Sequence, residues 1–192
     1  MTTEENLKAA FAGESQARNK YAFYAKVARK EGYHYIADLF EETAMNEMQH
    51  AKDEFKLLGG IGDTVANLQE AIDGEAYETK SMYPQFAKEA EEEGNEDAAK
   101  LFRQIAKVEE QHEARYTALL NLVKSGNVFK RDTPIRWKCS KCGFIHEGKE
   151  PPMKCPSCKH PKEYYEPECM CFSPGCAQCC QDGSSGDSQE ES

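Results

Sequence analysis

Residues 46–50 read NEMQH, which sets Glu47 and His50 three positions apart; at 109–113 the string EEQHE repeats that spacing with Glu109 and His112. Side chains three or four apart on a helix share a face, so each pair offers a carboxylate and an imidazole to one point. Glu14 and Glu75 fall on the inward stripes of two further helical patterns, and Glu78 lies three beyond Glu75 on the same side. Five carboxylates buried without a cation would cost several kcal/mol each. Two metal ions remove that cost, and mixed carboxylate and imidazole ligation suits iron or manganese better than a thiolate-seeking metal. One Glu-x-x-His is common by chance. Two in register, with acids at matching places on both remaining helices, are not.

A second chemistry lies downstream. Cys139-x-x-Cys142-Gly143 and Cys155-Pro156-x-Cys158 form two knuckles with twelve residues between them. That spacing lets four sulfurs enclose one tetrahedral ion. Zinc and iron both accept four thiolates, so this pattern alone leaves a structural zinc ribbon and a redox iron site equally open. Trp137, Tyr164 and Tyr165 are expected to form the small aromatic core, and His146 and His160 to be exposed because four sulfurs already satisfy the ion.

The elements that must position these groups are four long helical patterns over residues 4–124. The first spans about 4–30, with Thr2 and Glu5 spaced as a capping box. The second spans about 33–58 and stops at Gly59-Gly60. The third runs from about 64 to Gly94, and the fourth over about 96–124. The fourth stripe reads Leu101, Ile105, Glu109, His112, Tyr116, Leu119, Val123, so polar groups enter an apolar seam. Residues 31–50 match 93–112 at an offset of 62, including Gly32 with Gly94 and Phe40 with Phe102. Tyr21 and Tyr83 keep that offset, but Gly13-Glu14 meets Gly74-Glu75 at 61. The second copy therefore holds one extra residue between Glu75 and Tyr83. A helix absorbs such an insertion as a π-bulge, and π-bulges gather at functional sites. The repeat predicts two helix hairpins related by a pseudo-twofold axis, an all-α four-helix bundle. Tyr21 and Tyr83 are either core packing or hydrogen-bond partners of a ligand carboxylate, and His34, at a helix start without an acidic mate, reads as surface.

Composition narrows the rest. The 192 residues carry a net charge of −10 with no basic cluster for phosphate, which argues against nucleic acid as a partner. No stretch has the roughly 18 apolar residues of a membrane span, and the N-terminus lacks a secretory pattern, so a cytoplasmic protein is expected. All nine cysteines follow position 138. In a reducing compartment two C-x-x-C pairs favour metal over disulfide. The expected organisation is a helical domain over 1–130, a four-cysteine metal domain over 131–167, and a Cys-rich disordered tail over 168–192. Cys169, Cys171, Cys176, Cys179 and Cys180 leave open an extra thiolate metal site, a redox-sensing tail or a plain extension.

Taken in order, FAGESQARNKY, NEMQH, GEAYETKSMYP, EEQHEARY and WKCSKCGFIHEG…CPSCKHP resemble the rubrerythrins over residues 4–167. The resemblance implies a ferritin-like di-iron domain followed by a rubredoxin-like iron domain, with zinc a possible substitute, and an activity that reduces hydrogen peroxide to water. Carried onto matching positions, it makes Glu47 and Glu109 bridging ligands and Glu14 and Glu75 terminal ones. It puts His112 on one iron, and Glu78 and His50 alternating on the other. Ferric iron, the harder ion, should prefer anionic Glu78, and ferrous iron tolerates His50. Glu78, His50, Tyr21 and Tyr83 are thereby the candidate catalytic residues. Electrons would come from an external NAD(P)H-dependent donor protein, because no G-x-G-x-x-G fingerprint is present. Iron handling of the ferritin kind and a zinc-stabilised scaffold are the competing functions; storage needs no attached electron-transfer site.

The link between the second and third helices adds one expectation. Some five residues reach roughly 16 to 18 Å at full extension, whereas a helix of some 25 residues is about 37 Å long. Each bundle is therefore expected to be built from hairpins of two chains, a swapped homodimer, unless the third helix starts nearer Gly74.

Overall fold

The computed structural model describes residues 2–169. Cys171, Cys176, Cys179 and Cys180, with the expectations attached to them, lie outside the described residues. The chain divides into two compact units, Met1–Asp63 and Thr64–Ser192.

The first unit is a helix hairpin, α1 (Thr3–Lys30) and α2 (His34–Leu57). Thr2 accepts a hydrogen bond from the Glu5 amide while the Glu5 carboxylate accepts one from the Thr2 amide, so the capping box is present and two orphan donors are satisfied. Gly32 at φ +88° turns the chain after α1, a backbone that side chains with a Cβ rarely adopt. His34 is exposed, as its place at a helix start suggests. Ala25, Ala28, Ala37, Ala44 and Ala51 are the buried residues of the hairpin. Residues this small let the two axes close up, and Phe40 packs against Ala25, Ala28 and Ala37.

The second unit opens with α3 (Thr64–Tyr77), a π-helical turn (Glu78–Met82) and α4 (Tyr83–Glu92), which follow one another without a break, and then α5 (Glu96–Lys124). The π turn falls in the interval where the repeat demanded one extra residue. α3 starts at Thr64, which rules out the later start near Gly74. Both halves of this long helical stretch pack on α5. Ala87, Ala90 and Ala99 are buried here, 62 positions after Ala25, Ala28 and Ala37, so the repeat extends to the packing seam itself.

Beyond α5 lies a three-stranded antiparallel sheet ordered β2-β1-β3, with β1 Ile135–Cys139, β2 Ile145–Gly148 and β3 Tyr165–Pro167. Strand alternation turns Ile135, Trp137 and Cys139 inward, where they pack with Cys155 and Tyr165. The Trp137 indole donates to the Gly148 carbonyl at 2.9 Å. Arg131 is 4% exposed, lies over the Trp137 ring and donates to the Asn127 and Lys130 carbonyls. Tyr164 does not join this core: it is 38% exposed, because the register that pairs Cys139 with Tyr165 sends its neighbour to the opposite face. No helix of the described residues is long and apolar enough to cross a membrane.

Candidate metal centres

Each hairpin assembles three ligand groups. In the first unit Glu14 of α1 meets Glu47 and His50 of α2; in the second, Glu75 of α3 meets Glu109 and His112 of α5. Within each set one ligand atom per residue lies within 4.8 Å of the others. The helical spacing acts as the sequence requires: His50 Nδ1 sits 2.8 Å from Glu47 Oε2, and His112 Nδ1 sits 2.6 Å from Glu109 Oε2 and 3.7 Å from Glu75 Oε1. The sets are not sealed from solvent as buried anions would be. His50 is 58% and His112 34% exposed, because each set lines a face of its own hairpin.

The acids reveal how poorly they coexist without a cation. Glu14 is held above the usual carboxylate range chiefly by its hydrogen bond to Glu47, then by burial and the Glu47 charge. Glu75 is raised first by burial, then by its hydrogen bond to Glu109 and that residue's charge. A pair of carboxyls sharing one proton is the arrangement a divalent ion would replace, so the donor set fits metal.

Glu78 opens the π turn and lies outside the three-residue set, yet its charge reaches both Glu75 and Tyr83. Tyr83 is raised by burial and then by the charges of Glu78, Glu109 and Glu75. Tyr21 and Tyr83 pack their rings on Phe40 and Phe102, with centroids 6.1 Å apart in both cases. Among the described residues no hydrogen bond joins either hydroxyl to a ligand carboxylate, so packing is the role on view. Two features escaped the sequence reading. Glu54, one turn beyond His50, has a buried oxygen without a partner, and its charge adds to the rise at Glu14. Lys80 of the π turn pairs with Glu113 of α5 at 2.7 Å. Glu54 continues the stripe of Glu47 and His50 and was legible by spacing; the Lys80 pair joins distant segments and was not.

The four sulfurs form a second centre. Cys139 Sγ lies 3.7 Å from Cys158 Sγ and Cys142 Sγ 3.6 Å from Cys155 Sγ. Four sulfurs about 2.3 Å from one ion would be roughly 3.8 Å apart, so the site has the size of a tetrahedral metal centre. Burial acts to raise the Cys155 thiol, but amide hydrogen bonds from Cys158 and Ser157, together with the Tyr165 hydroxyl, bring it down to about 6. The His160 amide favours the Cys158 thiolate, yet burial and the three neighbouring sulfurs push it up to about 12. One sulfur ready to ionise beside one that resists is what four crowded thiols do until a cation lets all four ionise. Both histidines are half-buried rather than exposed, and His160 Nδ1 reaches to 3.3 Å from Cys158 Sγ. The ring covers the ligand sulfur instead of pointing to water.

A helical protein with two carboxylate and imidazole donor sets, joined to a four-thiolate module, defines a non-haem metal oxidoreductase. The rubrerythrin family model matches residues 5–120, and the rubredoxin-like domain of rubrerythrins matches residues 137–166. Rubrerythrin of Porphyromonas gingivalis is 49% identical over 178 residues, 86% of this chain and 89% of that one. Nigerythrin of Nitratidesulfovibrio vulgaris is 40% identical over 178 residues, 85% of each chain. The solved structure "Fully reduced state of nigerythrin (all ferrous)" shares 38% identity and covers 87% of each chain at a TM-score of 0.34. The chain belongs to the rubrerythrin family, with a ferritin-like helical region and a rubredoxin-like module, and iron is the metal its two kinds of site suggest.

Proposed function

We propose that this oxidoreductase is a peroxidase that reduces hydrogen peroxide to two waters, taking two electrons and two protons, as a cytoplasmic defence against oxidative stress. One observation carries the reading: the same chain holds paired carboxylate and imidazole sets and a separate four-thiolate site. The first suits a two-electron reaction and the second a one-electron supply. When bound, a pair of ferrous ions provides electrons and polarises the substrate. Glu47 and Glu109 would bridge that pair, Glu14 and Glu75 would bind terminally, and His112 would hold one ion. Glu78 and His50 would serve the other in its ferric and ferrous forms. The π turn supports this assignment, since it starts at Glu78 and interrupts the hydrogen bonds that would fix a regular helix there. Burial and the charges of Glu78, Glu109 and Glu75 raise the Tyr83 pKa, which favours the neutral hydroxyl beside these carboxylates. Electrons would enter at Cys139, Cys142, Cys155 and Cys158 from a separate NAD(P)H-dependent protein.

The functional particle in this reading is a swapped homodimer. Six residues, Leu58–Asp63, connect α2 to α3 and can span at most roughly 25 Å, short of the roughly 36 Å length of α2. Ile36, Leu39 and Met45 are exposed on α2, a set that soluble proteins cover with a partner. The test is metal analysis with visible spectroscopy and peroxide consumption under a reductant. About three irons per chain, a red ferric-thiolate absorbance and catalytic loss of peroxide are expected; a colourless zinc protein that leaves peroxide intact would overturn the reading.

A further inference from the structure

The knuckle end of the four-thiolate module differs in charge from the rest of the chain. The protein carries −10 overall, but residues 131–167 hold eight Lys and Arg against five Asp and Glu. On and next to the strands three cations are paired, Lys130 with Glu150, Arg136 with Glu168 and Lys138 with Glu166, while Lys149, just past β2, is in no ion pair among the described residues. At the knuckles none is paired: among the described residues no ion pair uses Lys141, Lys154, Lys159 or Lys162. Lys141 sits between the first two ligand cysteines and Lys159 directly follows the last.

Lys159 occupies a position where lysine is unfavourable. Its φ is +66°, the one positive value at a non-glycine among the described residues, and the equivalent place in the other knuckle, after Cys142, is Gly143 at +75°. The two knuckles thus share one backbone, and only one keeps the residue that backbone prefers. Lys159 holds its ammonium 2.7 Å from the Pro156 carbonyl, at the rim of the site. Around it lie the groups nearest the sulfurs. Cys142 is exposed, His160 bridges the Cys158 sulfur to the Tyr164 ring at a centroid distance of 5.0 Å, and the Lys141 ammonium lies 4.8 Å over that same ring. Met153, 70% exposed, adds apolar area beside the second knuckle. An apolar and aromatic centre rimmed by unpaired cations suits small, short-lived electron-transfer contacts.

We infer that this knuckle face, with Lys141 and Lys159 flanking Tyr164 and His160, is the docking surface for an acidic one-electron carrier protein of the flavin or iron–sulfur class. The inference rests on the proposed peroxidase reading and names the kind of partner that reading needs. Charge complementarity selects it: on a chain at −10, the knuckle lysines that no ion pair uses among the described residues lie beside the sulfurs, so an acidic carrier is steered to this face and a basic one is not. In the step itself one electron would pass from the reduced carrier to the ferric ion that Cys139, Cys142, Cys155 and Cys158 would hold, with no bond made or broken.

The test uses the full iron-loaded chain and hydroquinone flavodoxin, an acidic flavin protein, with bleaching of the ferric-thiolate absorbance followed by stopped flow. The bimolecular rate should fall about tenfold between roughly 0.02 and 0.3 M salt. Lys141→Glu/Lys159→Glu should slow the low-salt reaction at least about tenfold and abolish or invert its salt dependence. The milder Lys159→Gly should slow it about two- to threefold while raising thermal stability, since glycine relieves the backbone strain. Reduction by free reduced riboflavin, which carries at most one negative charge against the many of flavodoxin, should change less than about twofold in every variant. A second readout is binding: in the zinc-loaded chain, oxidised flavodoxin should shift the amides of residues 141, 159, 160 and 164. Flavodoxin rates equal in wild type and double variant would overturn the docking surface and leave the peroxidase reading standing. Shifts that track the chain's own concentration without flavodoxin would assign the face to a second copy and overturn it equally. A centre that riboflavin cannot bleach would overturn the peroxidase reading, and the inference with it.

Discussion

At the scale of single residues, the helical Glu-x-x-His pairs and the C-x-x-C knuckles gather the ligand groups, and their protonation carries testable consequences. Glu14 and Glu75 have raised pKa values in the folded protein, so the native state binds protons more tightly than the unfolded chain does. For the metal-free protein this stabilisation is present below the unfolded carboxyl value of 4.5 and is lost as pH rises through the folded values. Thermal unfolding of the apoprotein should therefore show a midpoint that declines from about pH 4.5 upward, with the decline flattened in Glu75→Gln and absent after ferrous or zinc ions are added. Replacing Glu78 with alanine should lower peroxide turnover at least about tenfold at constant iron loading, because in the proposed assignment the ferric ion would lose an anionic ligand. Unchanged turnover would end the proposal that Glu78 and His50 alternate. Cys155→Ser should remove the ferric-thiolate absorbance while leaving helix content by circular dichroism intact, since the helices pack on one another rather than on the sulfurs.

Among the elements, the π turn is the informative departure. It exists because one residue was added to a repeat whose ends, Glu75 and Tyr83, are both held in place, and the surplus is taken up between Glu78 and Met82. The Lys80 to Glu113 pair ties that turn to α5, the helix that carries Glu109 and His112. Deleting Thr79 should convert the turn to regular helix with little change in circular dichroism. It should move Glu78 off the ligand side and depress peroxide turnover more than oxidation of ferrous iron by dioxygen. Equal losses in both would show that the insertion has no selective role. At the start of α1, Thr2→Ala should cost about 1 kcal/mol of stability in urea unfolding through loss of the capping box.

For the whole molecule, the claim to test is that ligands from one chain's first hairpin serve with those of another chain's second. Glu47→Ala and Glu109→Ala chains should each be inactive. Unfolded, mixed and refolded together, they should recover about a quarter of wild-type turnover, because half of the dimers are hybrid and each hybrid has one site with both hairpins intact. A bundle made within one chain would recover nothing.

The helices, their caps, the repeat, the π insertion, both metal donor sets and the tetrahedral cysteine spacing follow from the amino-acid order, because each depends on residues close in sequence or on a period the backbone imposes. Tertiary structure decided what neighbours in sequence cannot announce. It turned Tyr164 out of the small core and His160 onto the Cys158 sulfur, left His50 and His112 more exposed than the acids beside them, and joined Lys80 to Glu113. It also paired Arg136 and Lys138 of β1 with Glu168 and Glu166, while among the described residues no ion pair uses Lys141 or Lys159 of the knuckles. Exposure, field and long-range pairing are sums over the packed neighbourhood, and they come into being only when distant segments meet.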